Sequence, residues 1–331
     1  MQSPPHSPTG NKPHDQLGHV LFNDPKRARA FLQKRFTKAQ TNLLDFNALT
    51  VQNSTFVDDD LSKSLADLVY AVPLKDRSRQ LELVLLQENK SSLSTAWPLQ
   101  LQLLKYYSAI TDQYRKTLMK AISEAKKPLP NKVLPMLLVF YHGRQPFNLQ
   151  ALDDWLQLDG QYACFRGKQP QVEFMLCDLA SLTNEQLEAD YQTHPDLLTG
   201  LLLMKNIWNP NLKSIINTVF KYADRLLGSM DGRHFFDLLS VYLGKGIKDK
   251  RKLHTILQSL KNKHVKDTAM SALDTMIKEG YAQGEAQGEA KKAREVVIAM
   301  LKLGKLSSEE IAHIAGVPKQ TVLELKAKYI G

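Results

Sequence analysis

Glu88 and Lys90 are separated by one residue at the polar end of an apolar run, Leu81 to Lys90. On a strand alternate side chains share a face, so the two project together, roughly 6.5–7 Å apart at about 3.3 Å per residue. Asp67 lies in the preceding extended run, between Leu65 and Val69 on one face. A carboxylate among such apolar neighbours is costly unless a cation or a strong donor meets it. If the two runs pair, Asp67 and Glu88 offer oxygen ligands to one divalent ion while Lys90 faces an attacking water or a phosphate. Such an ion lowers the pKa of its water and offsets charge building on the phosphorus, and the lysine adds stabilisation or positions the nucleophile. The same spacing also suits a solvated strand end in which Asp67 caps a turn.

Other residues carry weaker signals. The Asp58-Asp59-Asp60 run reads as a charged turn, or as a source of one outer carboxylate. His142 directly follows a buried run in Tyr141-His142-Gly143-Arg144; it suits a general acid or a hydrogen-bonded turn residue. Arg144 is a candidate phosphate contact, and Lys34, Arg35 and Lys105 are candidates to line a groove.

The elements that must position these groups follow from pattern. Asp24-Pro25 supplies an N-cap and first-turn proline for a helix whose Ala28, Phe31, Leu32 and Phe36 recur at helical spacing. Three extended segments are predicted next, at Ser54 to Asp58, Leu65 to Leu74 and Leu81 to Lys90, the last two joined by the short polar link Lys75 to Arg79. Ser94 or Thr95 is predicted to cap a helix with Pro98 in its first turn and Leu101, Leu104, Tyr107 and Ile110 as its buried face. Val133 to Tyr141 is almost continuously apolar and reads as a strand covered on both faces. This order is an α/β arrangement with a mixed sheet.

Beyond residue 150 the pattern is helical, with segments at Leu182 to Tyr191, Pro195 to Trp208, Leu212 to Leu227 and His234 to Leu243. Gly280, Gly284 and Gly288 within Met270 to Leu303 each cost a helix roughly 1 kcal/mol relative to alanine, which predicts a weakly stable or hinged connector. Leu306 to Tyr329 has helix-turn-helix spacing about Gly316-Val317-Pro318. Lys319, Gln320 and Thr321 would then face DNA bases, or the hairpin serves packing and dimerisation.

Composition limits the classes of function. Forty-four Lys and Arg against 34 Asp and Glu give a formal charge of +10, which favours a polyanionic partner, nucleic acid first, or simply aids solubility. Cys164 and Cys177 lack the spacing of a disulfide framework or zinc site, which fits a reducing cytoplasm. The amino terminus has no apolar core of a signal peptide, and the most apolar stretch is too short for a bilayer, so membrane insertion is not expected.

Taken together, PHDQLGHVLFNDPKRARAFLQKRF, STFVDDDLSKSLADLVYAV, LELVLLQENKSS and LPMLLVFYHGRQPF, in that order, resemble the Rpn recombination-promoting nucleases, also described as transposases of the PD-(D/E)XK superfamily. YAQGEAQGEAKKA and MLKLGKLSSEEIAHIAGVP resemble that family's ending. The resemblance implies an α/β restriction-endonuclease-like core, a mixed central sheet flanked by helices, followed by an α-helical C-terminal region. The predicted organisation is a flexible leader over 1–13, an α/β nuclease-like domain over 14–180, a helical region over 181–268, a Gly/Gln/Glu-rich helical connector over 269–304 and the helical hairpin over 305–331. It also implies DNA endonuclease activity dependent on Mg²⁺, with Ca²⁺ or Mn²⁺ as alternatives, linked to recombination or to defence against foreign DNA. Under it Asp67, Glu88 and Lys90 are the catalytic set with Asp67 and Glu88 on the metal, His142 and Gly143 match the Y-H-G turn, and Asp15 matches an early acidic position. Gly18 and His19 depart from the family's Phe-Lys, which puts a phosphate contact by that helix in doubt. The competing expectation is a catalytically inactive protein that keeps the fold and binds DNA or oligomerises, as a homo-oligomer through the C-terminal helices.

Overall fold

In the computed structural model the described residues are 13–52, 68–94, 96–126, 128–247 and 249–329. Asp58, Asp59, Asp60 and Asp67, the predicted strand Ser54 to Asp58 and most of the leader lie outside them. Two units are present, 1–269 and 270–331.

Three helices come first, α1 (Pro13–Phe22), α2 (Pro25–Gln33) and α3 (Lys38–Leu43). Asp24 caps α2 as its sequence requires, its carboxylate accepting from the backbone N–H groups of Lys26 and Arg27 at 2.9 Å. The sheet follows: β1 (Thr50–Gln52), β2 (Leu68–Pro73) and β3 (Leu81–Lys90), then α4 (Leu99–Ser123), β4 (Lys132–Tyr141), a one-turn helix α5 (Leu152–Trp155) and β5 (Met175–Asp178). The strand order is β1-β2-β3-β4-β5. The first three strands are antiparallel neighbours, whereas β4 and β5 run parallel to β3, which makes the sheet mixed.

The two faces of the sheet are covered differently. On one, Val69, Leu86, Leu137 and Val139 pack against Leu99, Leu103, Tyr106 and Ile110 of α4. On the other, the Phe140 ring meets Phe22 and Phe31 of α1 and α2 edge-on, at 4.9 and 5.6 Å between centroids. Residues opposite one another in a parallel pair share a face, so the register Glu88↔Val139 and Asn89↔Phe140 sends Glu88 and Lys90 toward α4 and Gln87 and Asn89 toward α1.

Several sequence expectations are corrected here. The α4 face is Leu99, Leu103, Tyr106 and Ile110; Tyr107 is exposed, and Leu101 and Leu104 are half-buried. Pro98, not Ser94, stands at the N-cap of α4. Ser94 instead closes the preceding turn, its hydroxyl oxygen accepting from the N–H groups of Ala96 and Trp97. Thr95 is outside the described residues. The short β1 was not expected at all, because three residues carry no readable alternation.

Gly143 follows β4, where a Cβ would overlap the Tyr141 phenol and come within 2.8 Å of the Ser91 carbonyl oxygen. The phenol occupies that space because its hydroxyl donates to Gln145 O at 2.8 Å. Gly143→Ala is therefore expected to destabilise the first unit by about 1–3 kcal/mol in urea unfolding.

The rest of the first unit is helical: α6 (Asn184–Tyr191), α7 (Pro195–Asn206), α8 (Leu212–Val219), α9 (Ala223–Leu226), α10 (Met230–Gly246) and α11 (Lys250–Gln258). The predicted single helix Leu212 to Leu227 is two, broken near Phe220 to Tyr222. The apolar α7 is buried almost throughout.

In the glycine-bearing segment the backbone is one continuous helix, α12 (Lys263–Leu303). Alanine, glutamine and glutamate between the glycines are strong helix formers and offset their cost. The last two helices, α13 (Ser308–Ala315) and α14 (Lys319–Tyr329), form the expected hairpin. A Ser307–Glu310 capping box starts α13, and Gly316 ends it at φ 65°. Val297, Leu301, Ile311, Val322 and Leu325 make the hairpin's core with the end of α12. Among the described residues no helix is long and apolar enough to cross a membrane.

Candidate active site

At the polar end of β3 the Glu88 side chain is 3% exposed and the Lys90 side chain 24%. The Lys90 ammonium pairs with Glu88 Oε1. The same oxygen accepts from Gln102 Nε2 at 2.7 Å, and that amide also donates to the Tyr106 phenol oxygen. Gln102 lies in the first turns of α4, on the stripe that carries Leu99, Leu103 and Tyr106, so the helix packing that buries the stripe also delivers the amide to the carboxylate. Glu88 Oε2 is buried and has no hydrogen-bond partner among the described residues.

A buried carboxylate with one oxygen held and the other without a donor is an incomplete arrangement for an anion. It suits a hard cation, which takes oxygen ligands. Among the described residues no group of three or more His, Cys, Asp or Glu could hold a metal; at this end of the sheet Glu88 lies on β3, and Asp178 ends β5 opposite Tyr141. Asp67 lies outside the described residues. Its neighbour Leu68 pairs with Gln87, so the described ladder between β2 and β3 stops one residue short of Glu88.

Across from Lys90 in the register is Tyr141. Burial, with a further contribution from the Asp178 carboxylate, pushes its phenol up, and its hydroxyl donates to Gln145 O at 2.8 Å.

His142 is not brought to Glu88. Its backbone N–H extends the ladder to Lys90 O at 2.9 Å, and its carbonyl accepts from Trp208 Nε1 at 3.3 Å. The imidazole is buried against the Phe140 ring at 5.6 Å, on the α1 face of the sheet and thus opposite to Glu88 and Lys90. Asp15 falls in the first turn of α1, with its side chain outside those described. His19, on the same helix, has its pKa lowered by burial.

The basic candidates divide. Lys34 pairs with Asp190 at 3.2 Å, and Arg35 donates to the Tyr191 phenol at 3.1 Å, so both tie α2 to α6 instead of lining a groove. Lys105 and Arg144 are exposed, the former on α4 and the latter just past β4. In the second unit Lys319 pairs with Glu309 across the hairpin, Gln320 donates to Glu324 at 3.4 Å and Thr321 is half-buried. These contacts organise the hairpin locally.

The residue that sequence reasoning missed is Gln102. A signal existed: a glutamine on the apolar stripe of an amphipathic helix, one turn before a tyrosine, is a polar group committed to a buried partner.

Comparison with known proteins agrees with this architecture. The family model described as "Putative transposase, YhgA-like" matches residues 12–232. "Recombination-promoting nuclease RpnD" of Escherichia coli O157:H7 is 26% identical over 150 residues, covering 44% of this chain and only 53% of that protein. "Recombination-promoting nuclease RpnA" of Escherichia coli strain K12 is 23% identical over 290 residues, 81% of this chain and 90% of that one. "Inactive recombination-promoting nuclease-like protein RpnE" of the same strain is 21% identical over 302 residues, 89% and 92% of the two chains. No solved structure matches the chain significantly. With a family model matched over more than half its length and a mixed sheet flanked by helices, this chain belongs to the YhgA-like transposase family, and curated proteins similar to it are named recombination-promoting nucleases and a nuclease-like protein.

Proposed function

We propose that the protein is a divalent-metal-dependent DNA endonuclease in which Glu88 and Lys90, with Asp67, form the catalytic set. The observation that carries this reading is the Glu88 carboxylate: buried, steadied on one oxygen by Gln102 and Lys90, and without a hydrogen-bond partner on the other among the described residues. Asp67 is bonded directly to the residue opposite Gln87, which makes it the carboxylate the sequence offers nearest to Glu88 along these two strands. Glu88 and Asp67 would hold the cation, with Mg²⁺ as the first choice and Ca²⁺ or Mn²⁺ as alternatives.

When bound, the cation supplies Lewis-acid stabilisation and an activated water. Gln102 fixes the carboxylate's orientation. Lys90 presents an ammonium where negative charge grows on the phosphorus, and its partial exposure leaves it open to the substrate. The packed face between α4 and the sheet excludes water from behind the site. Arg144 and Lys105 are available to the DNA backbone.

Purified protein with supercoiled plasmid and Mg²⁺ is expected to produce nicked and linear DNA. Lys90→Ala and Asp67→Ala are each expected to slow this by about 10²–10³-fold. Cleavage that survives both substitutions unchanged would remove them from the mechanism.

A second reading is favoured by one comparison: a relative named inactive is similar along 89% of this chain. A protein of that kind keeps the fold and binds DNA, or oligomerises, without cutting. Its binding would fall steeply with salt and be indifferent to metal and to Asp67→Ala.

A further inference from the structure

We infer that Trp97 is a stacking platform for an unpaired nucleobase, so that the favoured substrate is DNA with an unstacked base at the site of attack; this rests on the nuclease reading above. Trp97 lies in the link between Lys90 and Gln102, the two residues whose side chains hold Glu88. It is 54% exposed, whereas Trp155 and Trp208 are half-buried, so of the three indoles it is the one most open to a partner.

The link that carries it is held from several sides. Ser94 Oγ accepts from the N–H groups of Ala96 and Trp97 at 3.2 and 3.3 Å. Leu93 packs into the core between α4 and the sheet, and Gln100 Nε2 donates to Gln150 O at 2.7 Å. The Ser94 hydrogen bonds to the Ala96 and Trp97 N–H groups set where the indole leaves the backbone, which reduces the freedom a stacking contact has to remove. Exposed Lys105 on α4 and Arg144 past β4 supply positive charge on the elements that flank the link, as backbone-tracking grooves for single strands do.

The choice of an unpaired base follows from shape. In an intact duplex both faces of every base are covered by its neighbours, so an indole gains a stacking partner only where a base is unstacked or already single. Stacking of this kind tolerates any base, so the inference concerns strandedness and not sequence.

The test uses the full chain with a chelator present, so that binding is read without cleavage. A fluorescein-labelled single-stranded oligonucleotide and a fully paired hairpin of the same composition are titrated by anisotropy. Trp97→Ala is expected to weaken single-strand binding by about tenfold and hairpin binding by less than about twofold, with Trp97→Phe retaining most of the single-strand affinity. Single-strand DNA is also expected to quench tryptophan emission in the wild type and not in Trp97→Phe. Unchanged single-strand affinity in Trp97→Ala, or equal losses on both probes, would overturn the inference. Because no metal is present, failure here is distinct from failure of the catalytic reading, which appears only in the cleavage assay.

Discussion

Glu88→Gln is expected to slow Mg²⁺-dependent DNA cleavage by about 10³-fold or more and to abolish any stabilisation of the protein by divalent metal. The substitution keeps the shape of the side chain and can keep the Gln102 contact through its carbonyl oxygen, but removes the charge that a cation needs. If the wild-type protein binds Mg²⁺ here, metal at 100 times its Kd adds about 2.7 kcal/mol of stability. For a unit of this size that is a rise in Tm of roughly 5–10 °C. The variant, melted with and without Mg²⁺, should show no such rise. Without metal it loses the ion pair with Lys90 and is expected to be less stable than the wild type, so the comparison that matters is each protein's own melting point with and without Mg²⁺. A Mg²⁺-dependent rise of equal size in Glu88→Gln would place the cation elsewhere.

The largest effect on stability is expected at Phe140. Its ring is fully buried near the C-terminal end of β4 and touches Phe22, Phe31 and His142, so it joins α1 and α2 to the sheet. Truncation to alanine removes aromatic contacts on three sides and leaves a cavity that these rings cannot readily close. The expected cost is about 3–5 kcal/mol in urea unfolding. Leu134→Ala, on the same strand but 45% exposed, should cost below about 1 kcal/mol and serves as the comparison. A loss below about 1 kcal/mol at Phe140 would mean that the helices dock by other contacts.

How much of this was legible in the sequence depends on how local each signal is. β3 and β4 could be read because their apolar runs are long and each is covered on both faces, so no competing helical period intrudes. The Asp24 cap was equally readable, since a cap is a matter of a few adjacent residues. The α4 face was misread because Leu99, Leu101, Leu103 and Leu104 supply apolar residues to more than one stripe, and the sheet decides which is buried. Gln102 was overlooked for the same reason. His142 looked adjacent to the site by its position after β4, yet its face follows from the register between β3 and β4, a long-range property that spacing cannot provide. The proximity of Glu88 and Lys90 was readable from strand alternation; the donor-poor oxygen on Glu88 was not, because it depends on what α4 does and does not bring.

The most direct measurement is the conversion of supercoiled plasmid by the purified chain, with Mg²⁺ or with chelator, for the wild type, Glu88→Gln and Lys90→Ala in parallel. The predicted result is nicking that requires the metal and is lost in both variants while plasmid binding persists. Metal-independent cleavage, cleavage undiminished in either variant, or binding without any cleavage by the wild type would contradict it.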